Sequence, residues 1–428
     1  MTNRKLLKAA RIWDGASPEL LYNGFLLVKD GKIEALGLQS DLGVNEELAA
    51  GAEVYELEDC TLLPGLINMH THLTFNASDA VLADHLREKA AGLPTMTIRA
   101  LDNMQRSLKI GVTTIRDCGT LNAVAFSVRA AVESGLLIGP RVVASGDGIT
   151  TTGGHCYYFG IEADSADEVR KAVRSQVKAG ADFIKIFATG GNLTPGTNQY
   201  EAQYSEEELK VATAEARRLG RKVASHAHGT PGIRNSVAAG VDTIEHCSFI
   251  TPDGVEYDPD IAEEIARQEI FVVPTFSIGL NRKIMANPNY GKDNPSLARF
   301  IASRPYRYQN TRRLFDLGVV LVSGSDSGIP GVPFDDFVYD LAILVNDLGL
   351  TPYQTLLTAT AHAARACGLS DTGTLAAGKR ADLLAVAGNP LEKIEDLAAT
   401  RLVAANGRVA VWKPELIQST RPDVVAGL

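Results

Sequence analysis

Between residues 66 and 326 the chain carries eight short apolar segments spaced by polar loops and helical patterns. In order they are "LINMH" (66–70), "VTTIRD" (112–117), "RVVAS" (141–145), "DFIKIFA" (182–188), "KVASHA" (222–227), "DTIEHC" (242–247), "FVVPTF" (271–276) and "VVLVSGSD" (319–326). Runs this short, apolar throughout and separated by helices, read as parallel strands buried on both faces. Eight β/α units within about 250 residues match the arithmetic of a (β/α)8 TIM barrel. The intervening helices announce their own ends. "SADEVRKAVRSQVKAGA" (165–181) opens on a good cap with acids in its first turn. "SEEELKVATAEARRLG" (205–220) pairs Ser205 with Glu208 as a capping box and stops at Gly220.

The 428 residues exceed what the barrel requires. Both ends of the chain are rich in short strands. "NGFLLVKDGKIEALG" (23–37) is two alternating runs joined by Asp30-Gly31, and "TRLVAANGRVAVW" (400–412) repeats the design with Asn406-Gly407. Residues 1–63 and 372–428 are therefore expected to close on each other as one small β-sandwich domain, with 64–371 as the inserted barrel.

A net charge of −9, with no basic run, argues against nucleic acid or an anionic membrane as the main partner. No window approaches the ~18 apolar residues of a membrane span. The N-terminus lacks the apolar stretch of a signal peptide. Five scattered cysteines without a CxxC pair fit a reduced, cytoplasmic protein.

In a barrel of this kind, chemistry sits at the C-terminal ends of the strands. The polar residues of this chain gather there. The first strand ends in His70 and His72, the fifth in His226 and His228, the sixth in His246 and the eighth in Asp326. Residues i and i+2 share one face of a strand, so each histidine pair can point into the barrel mouth. His155 lies in the loop after the third strand. A lone strand-end histidine is usually a hydrogen-bonded core or surface residue. Five of the eight histidines on one ring of strand ends, with a carboxylate, form a donor set suited to zinc.

The fourth strand holds Lys185 in the middle of "FIKIFATGG" (183–191). An unpartnered buried ammonium is costly. Spacing alone leaves two readings open. Lys185 pairs with an acid such as Asp117 or Asp326, or it has reacted with CO2 to a carbamate, which has lost the positive charge and offers two oxygens to metal ions.

Taken together, "LLPGLINMHTHL" (62–73), "TTGGH", "FIKIFATGG", "SHAHGTPGI", "IEHCS" and "GSDSG" resemble the metal-dependent amidohydrolase superfamily. Within it they resemble the imidazolonepropionase-related group, with its prolidase-like and carboxypeptidase-like members. The likeness spans nearly the whole chain. It implies a barrel with two divalent metal ions, most often zinc. By that likeness His70, His72 and Asp326 hold one ion, His226 and His246 hold the other, and carbamylated Lys185 bridges them. A water on such an ion has its pKa lowered toward ~7, and Asp326 is the candidate general base. His155, His228 and Tyr157 are the candidate substrate contacts. Prolidase-like members carry tyrosine at the position of His228, so the histidine here departs from their pattern. Tyr158, Tyr200 and Tyr204 line the pocket or pack the loops. Arg116 and Asp117 are expected to form a structural ion pair, and Cys118, Cys156 and Cys247 to be small buried hydrophobes.

The resulting expectation is a binuclear hydrolase that cleaves an amide or peptide-like C–N bond with a metal-activated hydroxide. Dipeptides, N-acyl amino acids or xenobiotic amides are its substrates, and a homo-oligomer is its form. The alternative is a mononuclear cyclic-amide hydrolase of the imidazolonepropionase type, in which Lys185 has no bridging part. A mononuclear zinc deaminase needs an acid just beyond the fifth-strand histidine, where Ala227, His228 and Gly229 stand instead. A barrel without chemistry should have lost ligands that this chain retains.

Overall fold

The computed structural model describes residues 4–42, 50–278 and 295–413. The fold is α/β with mixed sheets. The N-terminal strands are β1 (Arg4–Ile12), β2 (Leu21–Lys29), β3 (Lys32–Leu38) and β4 (Glu53–Pro64). The central strands are β5 (Leu66–Thr71), β6 (Val112–Asp117), β7 (Arg141–Ala144), β8 (Gly148–Thr150), β9 (Gly160–Glu162), β10 (Phe183–Phe187), β11 (Lys222–Gly229), β12 (Thr243–Thr251), β13 (Gly254–Val255) and β14 (Phe271–Val273). β15 (Leu383–Ala387), β16 (Thr400–Ala405) and β17 (Arg408–Trp412) follow near the C-terminus.

Both ends of the chain join one seven-stranded sheet in the order β17-β16-β15-β4-β1-β2-β3. Its two dipeptide turns form as their sequence dictates. Asp30 and Gly31 take φ of 49° and 83°, and Asn406 and Gly407 take 52° and 69°. Two successive left-handed residues make the turn whose twist matches the flanking strands. The two turns also meet. A Cβ on Gly407 would lie 2.6 Å from the Gly31 Cα, so contact between the two hairpins excludes a side chain there.

β5, β6 and β7 form a parallel sheet, and a second sheet runs β13-β12-β11-β10-β8-β9 with β14 on β12. Every residue of β5, β6, β10 and β14 is buried, as expected for strands covered on both faces. Asp182, just before β10, donates its N–H to Ala144 O of β7 at 2.9 Å.

The eighth expected strand is the exception. Residues 319–326 make only isolated bridges, Val272 with Leu321 and, one residue on, Thr71 with Ser327. Val322 N donates to Val272 O at 3.0 Å, and Met69 N donates to Ser323 O at 2.9 Å. The segment thus lies between β14 and β5. Its ladder breaks because the Asn68 side chain takes the Ser325 N–H at 3.2 Å, and the backbone then turns at Asp326.

The helices 166–179 and 206–218 begin on complete capping boxes, Ser165 with Glu168 and Ser205 with Glu208. One core lies between the β10–β14 strands and their helices. Another joins β5–β7 to the terminal sheet through Trp13, Leu384 and Val403 against helix 93–109. Among the described residues, no helix is long and apolar enough to cross a membrane.

Candidate metal centre

Hydrogen bonds on the outer ring nitrogens decide which histidine nitrogens are free. His72 Nδ1 lies 3.0 Å from the Gly119 carbonyl, which can only accept, so Nδ1 carries the proton and Nε2 is bare. His70 Nδ1 donates to the Glu245 carboxylate at 2.7 Å, which leaves its Nε2 bare as well. The Thr275 hydroxyl donates to Pro274 O, so it accepts from His246 Nδ1 at 2.7 Å. These partners set both tautomer and ring orientation.

Two groups of acceptors result. In the first, Asp326 Oδ1 lies 3.5 Å from His70 Nε2 and 3.3 Å from His72 Nε2, and this buried oxygen has no hydrogen-bond donor. In the second, one ring nitrogen each from His226, His228 and His246 comes within 4.8 Å of the others. His226 Nε2 points at the Gly190 carbonyl at 3.3 Å, so its Nδ1 is bare. That Nδ1 faces the bare Nε2 of His246 at 2.9 Å. Two lone pairs at this distance repel unless a cation accepts both. The donor chemistry of each group therefore fits a divalent metal ion.

Lys185 is 1% exposed, and its Nζ has no hydrogen-bond partner. Among the described residues no acid pairs with it, Asp117 and Asp326 included. Its charge disfavours protonation of His70, His226 and His246 and favours ionised Asp326, and its Nζ lies 5.5 Å over the Phe187 ring. Burial first, with Lys185 adding to it, lowers His70 to about 4 and His155 to about 3. Burial also holds His226, His228 and His246 well below 6.5. The imidazoles are thus neutral, the form that ligates metal. Asp326 is held low, at about 2, against the burial that would raise it, with the charge of Lys185 among the causes.

The backbone bends to make this arrangement. His246, Thr275 and Asp326 take φ of 71°, 51° and 61°. Left-handed backbone costs about 1–3 kcal/mol at such residues and is a genuine outlier for β-branched Thr275. The strain collects where β12, β14 and the segment after 319 turn their polar residues inward.

His155 is buried, with its Nδ1 unpartnered and its ring 4.7 Å from that of His226. His228 stacks on His246 at 4.2 Å and so joins a candidate ligand group as well as the substrate side. Tyr157 stands 47% exposed on a short turn, with its ring against Tyr158. Tyr158 and Tyr204 are packing residues, and the Tyr204 hydroxyl donates to Ala163 O at 2.8 Å. Cys118, Cys156 and Cys247 are buried; burial pushes the thiols of the first two up to about 12. Cys118 also comes within 4.8 Å of a His70 and a Glu245 ligand atom, though the His70 and Glu245 atoms are already engaged with each other and with Arg116.

The expected Arg116–Asp117 pair is absent. Adjacent strand residues point to opposite faces. Arg116 instead donates to Glu245 at 2.6 Å, while Asp117 accepts from Leu73 N and the Thr120 hydroxyl. Glu245 thus links Arg116 to His70. Full burial would raise its pKa, but Arg116 and the His70 hydrogen bond hold the carboxyl well below the usual carboxylate range. Sequence reasoning passed over Glu245. Its signal was an acid directly before a strand-end histidine, on the opposite face of a buried strand.

The α/β fold and its two buried groups of histidine and carboxylate donors find their counterpart in a known family. The chain belongs to the amidohydrolase family, whose model matches residues 61–410. It is a hydrolase acting on C–N bonds. It is 29% identical to ochratoxinase of Aspergillus niger over 422 residues, covering 92% of this chain and 82% of that one. It is 24% identical to imidazolonepropionase of Rhodococcus jostii, covering 87% and 84%. A solved Xaa-Pro dipeptidase with methionine bound in its active site superposes with a TM-score of 0.80 at 28% identity, covering 95% and 99%.

Proposed function

We propose that the chain is a binuclear metal-dependent hydrolase that cleaves an exocyclic amide in a small peptide-like substrate, a dipeptide or an N-acyl amino acid. The observation that carries this reading is Lys185, whose buried Nζ has no hydrogen-bond partner and, among the described residues, no ion pair, while its charge acts on both groups of candidate ligands. As a carbamate it would exchange its positive charge for a negative one and offer two oxygens to metal ions held by these groups. His70, His72 and Asp326 would hold one ion, and His226 and His246 the other. Bound there, the ions supply Lewis acidity and an activated water. Asp326, ionised at neutral pH and without a donor on Oδ1, would be the proton acceptor for the nucleophilic water and the proton donor to the leaving nitrogen. His155 and His228 border the second group and contact the substrate, and Tyr157 lies at the outer edge.

The same reading extends to the architecture. β5–β7, β10–β12, β14 and the segment after 319 close a (β/α)8 barrel over residues 64–371. Residues 1–63 and 372–428 form the β-sandwich domain. The backbone bonds that join β7 to β10 and carry β14 across to β5 support closure. The resemblance to a Xaa-Pro dipeptidase and to ochratoxinase supports the substrate class. Five free cysteines support a reducing, cytoplasmic setting.

The test is metal content per chain by plasma mass spectrometry on protein purified without chelator, with hydrolysis of a dipeptide and N-acyl amino acid panel. About two ions and turnover of the panel are expected. About one ion, with ring-opening of cyclic amides instead, overturns the binuclear reading.

A further inference from the structure

Arg307 lies on the helix Arg304–Asp316 and is 3% exposed. Its Nε and Nη2 are buried and have no hydrogen-bond partner. Among the described residues no acid pairs with it. Arg116, the comparable buried arginine, has Glu245. One turn along the same helix face, Asn310 also leaves its buried Nδ2 without an acceptor. The Arg307 guanidinium stacks 4.0 Å over the Phe300 ring, and Phe300 stands edge-on to His228 at 5.6 Å. A single aromatic ring therefore separates this cation from the histidine that stacks on His246. Burial lowers Arg307 only to about 10, so it remains charged at neutral pH. Stacking accommodates the face of a guanidinium but leaves the Nε and Nη2 donors unmet. A buried, unpaired cation carries a desolvation penalty that an anion relieves. The planar fork of donors matches a carboxylate.

We infer that Arg307 receives the free carboxylate of the substrate's amino-acid half and so selects N-acyl amino acids and dipeptides over amides that lack a carboxylate. The inference rests on the amide-hydrolase reading above and names the substrate class of that site. Anchored beyond Phe300, the carboxylate fixes the distance from Arg307 to the scissile amide and aligns that amide with the histidine groups.

The experiment compares free L-amino acids with their carboxamides, which differ only in the charged group. Each is titrated by calorimetry into metal-loaded wild type, Arg307→Met and Arg307→Lys. In parallel, kcat/KM is measured for N-acetyl-L-amino acids and their carboxamides. The acid is expected to bind wild type at least 10-fold tighter than the carboxamide. The acid-over-carboxamide ratio of kcat/KM is expected to fall about 100-fold in Arg307→Met and less in Arg307→Lys. A structural loss lowers both substrates together and leaves the ratio unchanged; that result overturns the inference. So does a wild type that binds acid and carboxamide alike. If Arg307→Met does not fold, the wild-type gap and its size in Arg307→Lys decide. Absence of turnover with every pair would remove the amide-hydrolase reading, while the binding gap still tests Arg307.

Discussion

Glu245→Gln is a one-atom change with two separable consequences. Glu245 Oε1 accepts from Arg116 Nη2 at 2.6 Å and from the Thr243 hydroxyl at 2.7 Å, and Oε2 accepts from His70 Nδ1 at 2.7 Å. In glutamine the single oxygen goes where two donors converge, toward Arg116 and Thr243. The amide NH2 is left facing His70 Nδ1. It donates there, so the imidazole proton moves to Nε2, the nitrogen that points at Asp326 Oδ1. A protonated Nε2 cannot ligate. Loss of such an orienting partner typically costs 10–100-fold in metal affinity. Arg116, fully buried, also loses its counter-ion, and breaking a buried pair costs about 3–5 kcal/mol. Retention of the amide hydrogen bond puts this change at the lower end, about 3 kcal/mol. Zinc affinity is measured by competition with a chromophoric chelator, and stability by urea denaturation of the metal-free protein. Unchanged zinc affinity in a variant destabilised by about 3 kcal/mol would refute the tautomer argument, because the ion pair alone would then account for Glu245.

Three further outcomes are expected. Asp326→Asn removes the proton carrier, so kcat should fall by about 1,000-fold or more while the circular dichroism spectrum is retained; full activity would remove Asp326 from the mechanism. Thr275→Gly removes the buried acceptor of His246 Nδ1, so zinc affinity should drop, while relief of the left-handed backbone at φ 51° offsets part of the stability lost with that hydrogen bond; both are read by the assays above. Burial raises Asp340 from 3.8 to about 7 against its hydrogen bonds from Ser277. The folded state therefore binds this proton more tightly than the unfolded chain. Its stabilising contribution is full below about pH 4 and is lost as pH rises to about 7, at roughly 1.4 kcal/mol per pH unit. Asp340→Asn should flatten that part of the urea-midpoint profile between about pH 4 and pH 7, and an unchanged profile would assign the slope elsewhere.

Several features of the molecule are local and were legible in the chain. Asp30-Gly31 and Asn406-Gly407 needed only their own φ preferences to form turns. Ser165 with Glu168 and Ser205 with Glu208 closed capping boxes three residues long. The histidines of β5, β11 and β12 were visible as strand residues, those of β5 and β11 through a two-residue strand period, and the buried Lys185 through the apolar run around it. Tertiary structure decided the rest. The segment after 319 lost its ladder to the side chain of Asn68, which is distant in sequence. Arg116 chose Glu245 over adjacent Asp117 because strand geometry sends neighbours to opposite faces. Thr275, Gly119 and Glu245 set the ring nitrogens of His246, His72 and His70 from other strands and loops. Arg307 reads as an ordinary helical arginine until packing buries it behind Phe300. Periodicity and capping act over a few residues, so the sequence carries them openly. Ion pairs, tautomers and desolvation depend on which side chains meet across the fold, and only the packing of distant strands and loops sets that.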